Sequence, residues 1–131
     1  MNTMKALSVW QPYAHFIATG EKPVENRTWA TKHRGWFAVH ASKHRDSLET
    51  YTDDMVFGAV IALAYLDTCV PLADISAAGP HSWVLDHPHT FGPICWLLPE
   101  VIRLPEPIEC RGYPSLFWLP KDIAAQLCAL L

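Results

Sequence analysis

The order of apolar and polar positions predicts a mostly β chain with short helices. Lys5–Val9 is a short apolar run and reads as a first strand. Pro12 suits the opening turn of a helix. Tyr13, Phe16 and Ile17 then recur at i, i+3 and i+4, which gives one buried stripe about two turns long. Gly20 is the natural stop, because glycine enters the left-handed cap without penalty. Pro23 biases Lys22 towards an extended backbone. A strand beginning near Val24 places Glu25, Arg27 and Trp29 on one face, with Lys22 in the turn before it.

Residues 31–34 are polar and read as a loop. Gly35–Ala41 reads as a strand, with Phe37 and Val39 on one side and Trp36, Ala38 and His40 on the other. Residues 42–54 are mostly polar and suit a short surface helix. The apolar run 56–66 reads as a buried central strand, although residues 59–66 also fit a buried helix by composition. Residues 69–93 hold Pro71, Pro80, Pro88 and Pro93 and read mostly as loop. Further strands are expected over 94–98, continued over 101–104, and over 116–119. Pro105-Glu106-Pro107 reads as a turn or edge, and residues 121–131 as a terminal helix. This pattern predicts an α+β fold, mostly β: a small mixed β-barrel with helices at its flanks.

The 131 residues fit one domain, 1–131, with a single core. With half the residues hydrophobic and 18% charged, the chain is globular and ordered. The net charge of −3 hides an asymmetry. Residues 22–45 carry six cations against one carboxylate, Glu25, while the remainder carries four cations and twelve carboxylates. Such a chain does not coat nucleic acid indiscriminately, but it is equipped to hold a phosphate-bearing ligand at one place; a solvated basic face has the same signature. No export signal or membrane-length apolar run is evident, and the four cysteines form no CxxC pair. Reduced thiols in a cytoplasmic protein are therefore expected.

The densest chemistry lies in Lys22, Glu25 and Arg27. Charges beside apolar neighbours are costly unless they pair or meet a ligand. Two functional readings follow. In one, Lys22 and Arg27 take phosphate or a base edge, Glu25 orients them, and Trp10 or Trp29 offers a stacking face. In the other, Lys22 is a base or nucleophile and Glu25 relays protons. A surface ion-pair cluster is the third possibility. His40 with His44, and His87 with His89, lack the partners and spacing of a metal site, so no metal or cofactor is expected. There is no GxSxG elbow and no glycine-rich phosphate loop; Ser42, beside His40 and His44, reads as a loop residue.

Gly20, Lys22, Glu25 and Arg27 complete the pattern G-x-K-x-x-E-x-R, and here the chain resembles the ASCH domain family within the PUA-like superfold. The likeness extends through Ala6 to Pro12, Trp29, Arg34-Gly35, Val39-His40-Ala41, Gly58 to Ile61, Gly92 to Leu98, Arg111-Gly112 and Leu116-Phe117-Trp118. It implies a PUA-like barrel whose cleft carries the motif. It also implies RNA, single-stranded nucleic acid or a modified nucleoside or nucleotide as partner. Trp10, Lys22, Glu25, Arg27 and Trp29 would form the site, widened by Arg34, Lys43 and Arg111. Some members of this family are hydrolases, including a ribonuclease and an amidohydrolase acting on N4-acetylcytidine. That amidohydrolase uses a threonine where this chain has Glu25, which argues against the same activity; as a hydrolase, this chain would use Lys22 and Glu25. A protein-interaction module is the further alternative, if residues 79–93 expose an apolar patch.

Overall fold

A computed structural model describes residues 2–131. Its ten main elements are β1 (Lys5–Val9), α1 (Tyr13–Thr19), β2 (Val24–Arg27), β3 (Gly35–Ala41), β4 (Ala59–Leu66), β5 (Thr68–Pro71), β6 (Ile94–Leu97), β7 (Glu100–Glu109), β8 (Leu116–Trp118) and α2 (Lys121–Cys128). Short 3-10 turns at Leu72–Asp74 and Ser82–Asp86 interrupt the loop after β5.

The strands form two sheets. Five lie in the order β7-β4-β3-β1-β8, and three in the order β2-β6-β5. Among the described residues only the β1–β3 pairing is parallel. The fold is α+β and mostly β, as the residue pattern predicts, but the expected barrel is two open sheets. Proline supplies a physical reason. Pro105 and Pro107 lie in the edge strand β7 and Pro71 ends the edge strand β5, and proline has no N–H with which to extend a ladder.

Side-chain alternation sorts the core into layers. Leu7, Val9, Phe37 and Val39 pack with Ile17 of α1 and with Trp96 of β6. Ala6 and Ala38 face the other way, with Leu63, Ile123 and Leu127, so α2 covers that side of the large sheet. Ser8 and His40 are the next residues on the α2-facing side of β1 and β3, and they are register partners. Irregularities fall beside them, between Val39 and His40 and between Val60 and Ala62. Bulges of this kind bend a strand and re-aim its side chains.

The run 59–66 is a strand, not a helix, because β3 and β7 flank it on both sides. No helix forms over residues 42–54, where turns and bends replace it. Pro105 to Pro107 lies within β7, an edge strand, so of the two expectations the edge holds and the turn does not. Trp83, Leu85 and Phe91 are exposed in the 79–93 loop. Among the described residues no helix is long and apolar enough to cross a membrane, and all four cysteines are free.

Candidate nucleic-acid interface

Gly20 ends α1 with φ 87° and returns its N–H to Ile17. That turn brings the Lys22 N–H to the Phe16 carbonyl at 2.9 Å. Lys22 is thereby pressed into the interior, with 3% of its surface exposed. Its ammonium donates to the Val24 carbonyl at 2.7 Å and to Glu25 Oε1 at 2.6 Å. The other oxygen of Glu25 accepts from Arg27 Nε at 2.9 Å and lies 2.7 Å from Arg27 Nη2. Arg27 Nη2 also donates to the Ser8 carbonyl at 3.0 Å. One buried carboxylate therefore joins two cations, and Arg27 ties the small sheet to β1 of the large one. Alternation along β2 puts Glu25 and Arg27 on one face, which is what makes this possible.

Arg27 borders a cleft of about 920 Å³. The cleft also receives Trp10, Lys43 and Arg111, together with Ser8, His40 and Tyr113. Three cations face it against one carboxylate, Glu109. Trp10 is 53% exposed and stacks on His44, with ring centres 3.8 Å apart and planes 22° from parallel. Tyr113 is 47% exposed, with the Arg111 guanidinium 5.0 Å from its ring centre. The stem of Lys43 lies over Gly58, whose φ is +72°; a Cβ there would stand 2.7 Å from Lys43 Cε. Glycine at 58 is favoured by its backbone angle, and a side chain there would oblige the Lys43 stem to shift.

The structure divides the eight site residues expected from the sequence. Trp10, Arg27, Lys43 and Arg111 meet in the cleft. Lys22 and Glu25 do not border it; they lie buried behind Arg27 and hold it. Trp29 packs edge-on against Trp96, centres 4.9 Å apart, and its carbonyl accepts the Trp96 indole N–H at 3.0 Å. Arg34 is exposed and donates to the carbonyls of Thr31 and His33 at 2.7 and 2.8 Å, which ties down its own loop. Ser8 and Tyr113 border the cleft without having been singled out by the sequence, and His40, weighed there only as a metal ligand, borders it too. For His40 a faint signal exists: it is the one titratable residue in the otherwise apolar β3.

His40 is almost wholly buried, and its Nε2 stands 2.8 Å from the Cys110 carbonyl. Burial lowers its pKa from the ordinary 6.5; the Cys110 bond opposes this and Lys43 adds to it. The ring is therefore neutral near pH 7.

The family profile of the ASCH domain matches residues 7–90, well over half of the chain. The chain belongs to the ASCH domain family. No curated protein matches this ASCH chain in sequence. Among solved structures it is similar to ASCH from Zymomonas mobilis, with 20% identity, coverage of 99% of this chain and 96% of that one, and a TM-score of 0.59. A tyrosine-to-phenylalanine variant of the Zymomonas mobilis protein gives 20% identity, 97% coverage of each chain and a TM-score of 0.59. A serine-to-alanine variant gives 19% identity, 97% and 95% coverage, and 0.58. At this identity the likeness is one of fold. It agrees with the α+β, mostly β architecture and carries no substrate with it.

Proposed function

We propose that this ASCH domain binds single-stranded RNA, or a nucleotide of similar chemistry, in the cleft between β1, β3 and the loop that follows β7. Family membership supports a nucleic-acid-related role in general. The observation that carries the finer reading is the meeting of cations and half-exposed aromatic rings in one cleft, Trp10 with one face already on His44. Arg27, Lys43 and Arg111 stand where phosphates would enter, and Trp10 and Tyr113 offer ring faces to unstacked bases. Backbone charge neutralisation plus base stacking is how proteins hold single strands without reading a long sequence. Lys22 and Glu25 act through Arg27: they fix the direction of its guanidinium, which reduces the freedom lost on binding. A catalytic role for Lys22 is disfavoured, since its ammonium is buried against Val24 and Glu25.

Fluorescence anisotropy with a labelled ten-nucleotide single-stranded RNA tests this. Loss of a hydrogen bond to a charged group is worth about 1.5–3 kcal/mol, so Arg27→Ala weakens binding by roughly tenfold to a hundredfold. Arg34→Ala, outside the cleft, leaves it unchanged. Equal effects of the two substitutions would remove the cleft from the account.

A further inference from the structure

The floor of the cleft holds a polar pair that phosphate binding does not use. Ser8 Oγ lies 2.9 Å from His40 Nδ1. The other ring nitrogen, Nε2, faces the Cys110 carbonyl. A carbonyl oxygen only accepts, so Nε2 carries the hydrogen and Nδ1 presents its lone pair. The Ser8 hydroxyl must then donate to Nδ1. Nucleophile, base and an orienting group for the base are thus in line, with a main-chain carbonyl in the place a carboxylate often fills. Both side chains border the 920 Å³ cleft.

The surroundings hold this pair in place. Gly112 presses its backbone against it: a Cβ there would lie 2.6 Å from His40 Cε1, 2.8 Å from Nδ1 and 3.0 Å from Ser8 Oγ. Arg27 Nη2 grips the Ser8 carbonyl, and Nη1 has no hydrogen-bond partner among the described residues. Simple cross-strand pairing of Ser8 with His40 explains their closeness. It does not explain why the pair opens onto a cleft beside a guanidinium with donors to spare.

We propose that Ser8 and His40 form a nucleophile–base pair that hydrolyses a carboxylic ester carried on a phosphate-bearing molecule. Ser8 Oγ bonds to the acyl carbon as its proton passes to His40 Nδ1. The negative charge that develops on the acyl oxygen is met by Arg27. The carbon–oxygen bond to the alcohol then breaks, and the alcohol leaves with the proton from Nδ1. Water attacks the acyl-serine, giving a proton to Nδ1, which returns it to Ser8 Oγ as the carboxylic acid departs. No electrons change hands and no co-reactant other than water is needed. The phosphate-bearing part of the substrate rests on the nucleic-acid reading above; the nucleophile does not.

A fluorophosphonate probe followed by intact mass and peptide mapping tests the nucleophile. The expected result is a single adduct on Ser8, absent from Ser8→Ala and formed at least a hundredfold more slowly in His40→Gln. No adduct, an adduct on Ser42 or Ser115, which also border the cleft, or an unchanged rate in His40→Gln overturns the pair. Because His40 is buried, Ser8→Cys gives a second readout with the base intact: iodoacetamide should alkylate Cys at position 8 at least tenfold faster than Cys110, and equal rates overturn the proposal. For the substrate, 3′-O-acetyluridine 5′-monophosphate should be cleaved with a kcat/KM at least tenfold above that of 3′-O-acetyluridine. Equal values remove the phosphate from the proposal. RNA anisotropy on the same preparations separates the two readings: RNA binding without an adduct removes the dyad alone, and an adduct without RNA binding removes the nucleic-acid reading alone.

Discussion

Replacing Glu25 by glutamine removes one charge and changes almost no volume. Among the described residues, Glu25 is the only carboxylate that either Lys22 or Arg27 contacts. The side chains of Lys22 and Glu25 are 3% and 7% exposed. In the variant, the Lys22 ammonium keeps the Val24 carbonyl but faces a neutral amide in place of a carboxylate. Removing one partner of a buried ion pair typically costs about 3–5 kcal/mol, because an uncompensated charge stays inside. Natural domains are stable by only about 5–15 kcal/mol, so the loss is a large fraction of the total. A melting temperature lower by roughly 10–20 °C corresponds to it in a domain of this size. Urea denaturation followed by Trp fluorescence measures the change. Lys22→Met should cost less than Glu25→Gln, because Arg27 still compensates Glu25, and Arg27→Ala less again, since Arg27 is partly exposed. The double variant Lys22→Met/Glu25→Gln should recover part of the loss, because no buried ammonium remains. A cost below about 1 kcal/mol for Glu25→Gln would refute this, since that is the scale of an exposed ion pair.

Two further outcomes follow from the cleft. With three cations contacting phosphates, the logarithm of RNA affinity should fall with the logarithm of salt concentration with a slope of about −2, and Arg111→Ala should reduce its magnitude by about 0.7; a salt-independent affinity contradicts the placement of the phosphates. His40 gives a pH dependence to stability. Its folded-state pKa lies below the ordinary 6.5, so the unfolded chain takes up a proton first. Stability is full above about pH 6.5, declines as the pH falls below it, and levels off once the folded-state pKa is passed. The denaturation midpoint should drop between pH 7.5 and 5.5, and His40→Gln should flatten that slope; His89, also depressed by burial, supplies a remainder. A slope unchanged in His40→Gln contradicts the buried neutral ring.

Much of the fold was legible because local chemistry and tertiary structure agree. The stripe of Tyr13, Phe16 and Ile17 and the stop at Gly20 yield α1, and period-two alternation yields β2 and β3. The run 59–66 was ambiguous by composition, since burial on both faces erases alternation and only pairing with β3 and β7 decides the matter. Closure into a barrel was not legible, because edge pairing is a property of the assembled sheets. The Lys22, Glu25 and Arg27 group was found by the cost of burying charge, but its direction was not. Sequence spacing shows that three charges are close and not which one faces water. Trp29 looked like a stacking surface, and its ring is spent on Trp96. Ser8 and His40 stand 32 positions apart and meet only through the parallel pairing of β1 with β3, a non-local contact that no window along the chain reports.

Photocrosslinking of a 4-thiouridine-substituted single-stranded RNA, with the attachment sites mapped by mass spectrometry, tests the central claim most directly. Crosslinks at Trp10, Phe57 or Tyr113, which border the cleft, are the predicted result. Crosslinks confined to Trp83 and Phe91, on the exposed 79–93 loop, would contradict it.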